Sequence, residues 1–417
     1  MSAPGPDRGN LDFFCGVLIV GLLAGVAGLA TTLVLRAVQH ATYNYSFGAL
    51  LAGVAASSPV RRVLGPMIGA ALAGLGWWVL RRRAEVPPLA QTIAAREPVP
   101  WFSWSVDAVL QVLLVGSGAS LGREGAPRQF AAALSDLGTG WLKRLTPGDR
   151  EVLLACAAGA GLGAVYAVPL AGALFSVRIL LGTWRPRAVG AAFLSSGLAV
   201  AVGSAITRDQ PNLQWPIEES TYLLTAHGLL LAPVTLAVGL AFNWLMAAVR
   251  PAHQPRTPLL IPALAGAGLV MGICSHWWPE LPGNGRSILT VSLASGMTLL
   301  SALAILALKP LLTALFLRAG GAGGLLTPSL ATGAATGAAL VLTINWATGT
   351  HLHVPAVSLA GAAGVLAVTQ GSPIWAAIFV WELARPPLWL FGLFLLTATG
   401  AHGLKVLARG PSTTHAG

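Results

Sequence analysis

Residues 116–129 read GSGASLGREGAPRQ: a glycine run, the adjacent charges Arg123 and Glu124, and then the start of a helix. Strongly apolar sequence flanks the stretch on both sides, so both charges are expected at membrane depth. An ionisable group there is costly and marks an ion or proton path by default. Glycines let bare backbone N–H groups approach a ligand, and the N-terminus of the following helix adds a positive dipole end, which together make an anion site. Glu124 is the only carboxylate in the stretch. It can occupy such a site itself and vacate it when protonated.

Such a site needs a bilayer around it, and the composition supplies one. Of 417 residues, 55% are hydrophobic and 9% charged, with a mean hydropathy of +0.72, whereas a soluble domain is roughly 25% charged. The chain reads as an all-α, polytopic membrane protein. Its 50 glycines and 28 prolines would break long soluble helices, but small residues let membrane helices approach closely, and broken helices are tolerated where they line a polar cavity. The net charge of +11 is clustered at Arg61 and Arg62, Arg81 to Arg83, Arg185 and Arg187, and Lys405 and Arg409. Such clusters flanking apolar spans read as cytoplasmic topology signals, with no nucleic-acid surface implied.

No enzymatic activity, cofactor or metal is expected. GSGASLG lacks the spacing of a dinucleotide fingerprint, and no GK[ST] follows any glycine run. Cys15, Cys156 and Cys274 stand singly in apolar segments, and His351 and His353 form an isolated pair in a short loop. A receptor or a purely structural membrane protein would not need Arg-Glu between glycines in its interior.

The elements that position the site follow from hydropathy. Residues 1–12 form a polar leader, residues 13–409 one transmembrane domain with approximate halves 13–220 and 221–409, and residues 410–417 a short polar tail. The first retained span covers 13–35, the second 64–80, and 85–100 is too polar to cross, so it reads as a re-entrant or interfacial piece. Residues 289–317 read as one span with Lys309 and Pro310 inside it. Glu218 and Glu219 fall in a solvated loop. Many segments are shorter than a full span, which points to interrupted helices and a site at mid-membrane.

An internal repeat supports that geometry. Pro169 follows Gly122 by 47 residues, and Pro373 follows Gly324 by 49. Each half thus places a glycine-rich turn before a proline-started apolar helix, as inverted-repeat transporters do. Two broken helices would aim their N-termini at one anion.

Gly122-Arg123-Glu124-Gly125, followed by Gln129, resembles the GREGP signature of the CLC family of chloride channels and proton/chloride exchangers. Residues 168–175 look like the helix that follows it in that family, residues 324–328 like its GxFxP motif, and residues 372–382 like its late helix ending in a glutamate. The resemblance covers most of the chain and implies many tilted, re-entrant and broken helices in two inverted repeats, assembled as a homodimer with one anion pathway in each subunit. It implies a bacterial inner membrane location, chloride or another small anion as the transported species, and protons as a further partner. Glu124 would match the external gating glutamate, and Gly122, Arg123, Gly125, Leu325 and Leu326 would surround the anion through backbone N–H groups.

The departures from the family bear on mechanism. Ala84 stands where the central anion-site serine is expected, which leaves the choice among halides and nitrate open. Ile179, beside Arg178, stands at the internal proton glutamate. The tyrosine of the inner gate has no counterpart, its position falling near Thr413, and no soluble CBS pair is expected. These losses favour passive or loosely proton-coupled conduction over strict proton/chloride antiport. A fluoride/proton antiporter is the third option, since that branch also lacks the serine, although its usual methionine is not seen here. Glu382, beside Arg385 and Pro386, reads as structural, and Asp107 as a helix-start residue.

Overall fold

A computed structural model describes residues 8–46, 48–207, 213–216 and 224–409. Glu218, Glu219, Thr413 and the tail lie outside the described residues. The first half folds into α1 (Arg8–Tyr43), α2 (Leu50–Ala56), α3 (Pro59–Arg83), α4 (Leu89–Ala95), α5 (Trp101–Gly116), α6 (Gly125–Thr139), α7 (Pro147–Tyr166), α8 (Pro169–Leu174), continued by a π-helical turn over Phe175–Leu180, and α9 (Pro186–Thr207). The second contains α10 (Leu224–Val249), α11 (Leu260–Cys274), α12 (Arg286–Leu293), α13 (Leu299–Arg318), α14 (Leu326–Thr348), α15 (Val354–Gln370), α16 (Pro373–Ala384) and α17 (Leu390–Arg409). Among the described residues, seven helices are long and apolar enough to cross a membrane. The others are short or broken, as the hydropathy implies.

Local sequence sets the helix ends. Thr146 and Asp149 form a capping box at the start of α7 with Pro147 in the first turn, and such a box satisfies two otherwise orphaned N–H groups. At the other end Ala167 takes the left-handed conformation, and Pro169 starts α8. The second half repeats the punctuation: α15 ends on left-handed Gly371 and α16 begins at Pro373.

The repeat extends to packing. In the first half α1 packs on α7 and α9, α5 on α6, and α7 on α8 and α9; in the second α10 packs on α15 and α17, α13 on α14, and α15 on α16 and α17. At the centre the halves meet in an antiparallel bridge. Gly122 N donates to the Gly324 carbonyl at 2.7 Å and Gly324 N to the Gly122 carbonyl at 2.9 Å. Asp107 and Lys309, each 15 residues before the bridging glycine of its half, occupy corresponding places on α5 and α13 and are both buried.

Small-residue stripes let the helix backbones touch, the usual source of close packing between membrane helices. Gly268 and Gly272 of α11 abut Pro66 and Val63 of α3, Gly21 and Gly25 of α1 abut Leu198 and Val202 of α9, and Gly333 and Gly337 of α14 lie against α15.

Three expectations change. The apolar run 289–317 is two helices, α12 and α13, separated by a turn in which Ser295 has φ 52°; unbroken hydropathy hides a turn made of small residues. Helix α2 was invisible for a similar reason, being seven residues long. Arg61 and Arg62 cannot share a side of the membrane with Arg81 to Arg83, because the two clusters end the same 25-residue helix α3, whose length is about 37 Å. Arg61 Nε donates to the Thr42 carbonyl at 2.9 Å, so this cluster ties helix ends together.

Candidate functional site

Glu124 is fully buried, immediately before α6. Its carboxylate does not fold back on its own helix. It crosses to the N-terminus of α14, where Oε1 accepts from Leu326 N at 2.8 Å and Oε2 from the Thr327 hydroxyl at 3.2 Å. The Tyr166 hydroxyl, at the end of α7, donates to Oε2 at 3.4 Å. A backbone N–H at a helix N-terminus plus two hydroxyls is a donor set for an anion, and the carboxylate fills it.

The two bridging glycines make room for this seat. A Cβ on Gly122 or Gly324 would overlap the Glu124 carboxylate. Gly324→Ala is therefore expected to push the side chain from its seat and to raise anion efflux from proteoliposomes at neutral pH; efflux equal to the wild type's at every pH would contradict the overlap.

The remaining sequence candidates separate. Gly122 N–H is committed to Gly324 and so is not open to a ligand. Gly125 opens α6 and lines a cavity beside Glu124. Leu325 caps α14 and Leu326 supplies the N–H to Glu124. Arg123 turns away from the carboxylate: its Nη2 donates to the Val165 carbonyl at 3.1 Å, and its guanidinium lies 5.0 Å from the centre of the Tyr166 ring. Ala84 ends α3, and the nearby cavity wall is built from Val86 to Ala90. Ile179 lies in the π-helical turn, packed against an apolar cluster.

On one side of Glu124 a cavity of about 510 Å³ reaches Gly125 and Gly324 from the loop carrying Arg250 and His253. Arg81 and Arg128 line it as well. On the other side, beside Tyr166, Asn284, Arg286 and Thr327, the space is only about 10 Å³, room for about one water. The space around Glu124 is therefore wide on one side only.

Sequence reasoning missed Tyr166, Thr327, Arg128 and the role of Asp107. Thr327 sits inside the recognised 324–328 motif, and Arg128 lies one helical turn after Glu124, so both carried a local signal. Tyr166 lies 42 residues from Glu124 and had none. Asp107 does not start a helix: it lies six residues inside α5, buried, and accepts from Trp77 Nε1 and Gln111 Nε2, each at 2.7 Å. Arg81, expected at a solvated end, is buried and donates to the Gly320 carbonyl at 3.0 Å.

Glu382 is an internal cap. Its oxygens accept from Leu170 N at 3.0 Å and Ala171 N at 2.7 Å, joining α16 to the start of α8. Glu382→Ala is expected to cost about 1–3 kcal/mol, the penalty for buried donors left unpaired, measured as lowered thermal stability in detergent, while the surviving protein keeps its pH dependence of transport.

The fold and the donor set filled by Glu124 define a polytopic anion transporter. The family described as Voltage gated chloride channel matches residues 69–404, so the chain belongs to the CLC family. A "Voltage-gated ClC-type chloride channel ClcB" of Escherichia coli O17:K52:H18 is 28% identical over 390 residues, covering 90% of this chain and 92% of that protein. The homologue of strain SMS-3-5 shows the same identity and coverage. Two solved structures share the fold. A slow cyanobacterial Cl-/H+ antiporter has a TM-score of 0.80 at 19% identity, covering 99% of this chain and 96% of that one. A CLC-type fluoride/proton antiporter has a TM-score of 0.72 at 18% identity, with 95% of each chain covered.

Proposed function

We propose that each subunit of a homodimer conducts chloride, or a related small monovalent anion, along a pathway gated by Glu124, channel-like or loosely coupled to protons. The carrying observation is the tethered carboxylate bound to Leu326 N–H and the Thr327 hydroxyl, a stand-in for the permeating anion. Ionised Glu124 competes with chloride for these donors; protonated Glu124 has lost the charge that holds it and yields to the anion, so acid speeds flow. The wide cavity carries Arg81 and Arg250 and is taken as the cytoplasmic entrance, since Lys and Arg accumulate on that side.

A second reading, proton/chloride exchange, is favoured by Asp107. It is a buried carboxylate in the wall of the same cavity, whereas Ile179 can carry no proton. The test is an imposed chloride gradient across proteoliposomes in weakly buffered medium. Chloride flow with no change in external pH supports the channel-like reading, chloride flow that drives protons at a fixed ratio supports exchange, and the absence of any anion flow would refute both.

A further inference from the structure

Arg128 lines the cavity beside Glu124 and, among the described residues, forms no ion pair within 4 Å; the carboxylate that acts on it electrostatically is Glu124, one helical turn away. Arg128 Nε donates to the backbone carbonyl of Glu124 at 2.8 Å. Its guanidinium lies 5.2 Å from the centre of the Phe175 ring. These two contacts fix the plane of the group, and neither engages the Nη atoms. The three ion pairs among the described residues, Arg96–Glu151, Arg187–Asp149 and Arg256–Glu85, lie elsewhere.

The other ionisable groups of the cavity leave it positive. Arg81, Arg128 and Arg250 face one acid, Asp107, alongside His253. Asp107 is occupied by Trp77 and Gln111, and Arg81 by the Gly320 carbonyl. A cation that no carboxylate bridges directly is costly inside a membrane protein and marks a ligand or a path. Resting on the reading of this cavity as the anion entrance, we propose that Arg128 forms an anion station below the gate and that its fork selects a small planar oxyanion, such as nitrate or bicarbonate, over a spherical halide.

The physical reason is geometric. With Nε engaged, the two Nη groups present coplanar N–H donors, which match two oxygens of a trigonal oxyanion; a halide offers one centre and gains no second bond. One additional charge-assisted hydrogen bond is worth about a tenfold difference in affinity. The station lies one turn of α6 from Glu124, so an oxyanion held there is next in line when the carboxylate leaves.

The experiment is equilibrium titration of the purified full-length protein with sodium nitrate and with sodium chloride, followed calorimetrically, alongside proteoliposome uptake of each anion. Nitrate is expected to bind about tenfold more tightly than chloride, and Arg128→Lys, which keeps the charge but loses the fork, to lower the nitrate-to-chloride affinity ratio about tenfold. Equal affinities in the wild-type protein overturn the proposal even if the variant does not fold, and so does a ratio that Arg128→Lys leaves unchanged. Because binding is read without transport, a protein that prefers nitrate but moves no anion would refute the transport reading and leave the station standing.

Discussion

Glu124→Gln is expected to carry anions at one rate across the acid-to-neutral range, over which the wild-type protein is expected to slow as pH rises. Glutamine keeps the shape of the side chain but has no negative charge with which to hold Leu326 N–H and the Thr327 hydroxyl. Each charge-assisted bond contributes about 1.5–3 kcal/mol, so losing the competitor at neutral pH should raise flux about ten- to a hundredfold. Any proton movement coupled to chloride should vanish with it. Chloride efflux from proteoliposomes at stepped external pH measures both, and a variant that keeps the wild-type pH profile would remove Glu124 from the gate.

The second large effect is on folding. At Gly337 an added Cβ would overlap the Val357 carbonyl oxygen of α15, and Gly361 on α15 meets the Gly333 carbonyl in the same way. Backbone atoms cannot rotate aside as a side chain can, so Gly337→Val must separate α14 from α15. We expect a cost of at least about 3 kcal/mol, the upper end for overpacking, seen as loss of monodisperse protein in detergent. Gly266 of α11 has nothing within 4 Å of its missing Cβ, and Gly266→Ala should be neutral or gain up to about 1 kcal/mol from helix propensity. Equal behaviour of the two variants would show that the α14 stripe does not set helix spacing. Because α14 presents Leu326 and Thr327 to Glu124, the stripe also fixes the seat of that carboxylate.

Much of this was legible in the sequence. The charged glycine turn at 122–125, its counterpart before Pro328, and the two proline-started helices at Pro169 and Pro373 marked the repeat and the place of Glu124, because turns and helix starts are local events written in Gly and Pro. What escaped depended on distance or on sidedness. Tyr166 reaches Glu124 only because α7 stops at left-handed Ala167, and no spacing announces that two residues 42 apart will meet. Asp107 looked like a helix start because the sequence gives the edge of an apolar segment, whereas α5 in fact begins six residues earlier, at Trp101. The clusters at the two ends of α3 were read alike because each was weighed as a flank of an apolar stretch and not as one end of the same helix.

The correspondence of Asp107 and Lys309 has a consequence for direction. Lys309 Nζ donates to the Leu281 and Gly283 carbonyls at 3.1 and 2.7 Å, beyond the bridging glycines from the wall where Asp107 sits. Exchanging the halves would bring the glycine turns and helix ends into corresponding places but would put a lysine where an aspartate was. The scaffold is thus nearly indifferent to which way it is traversed, and its charges are not. Unequal barriers for the two directions of anion movement need no asymmetric fold: different side chains at two equivalent places in a symmetrical one suffice.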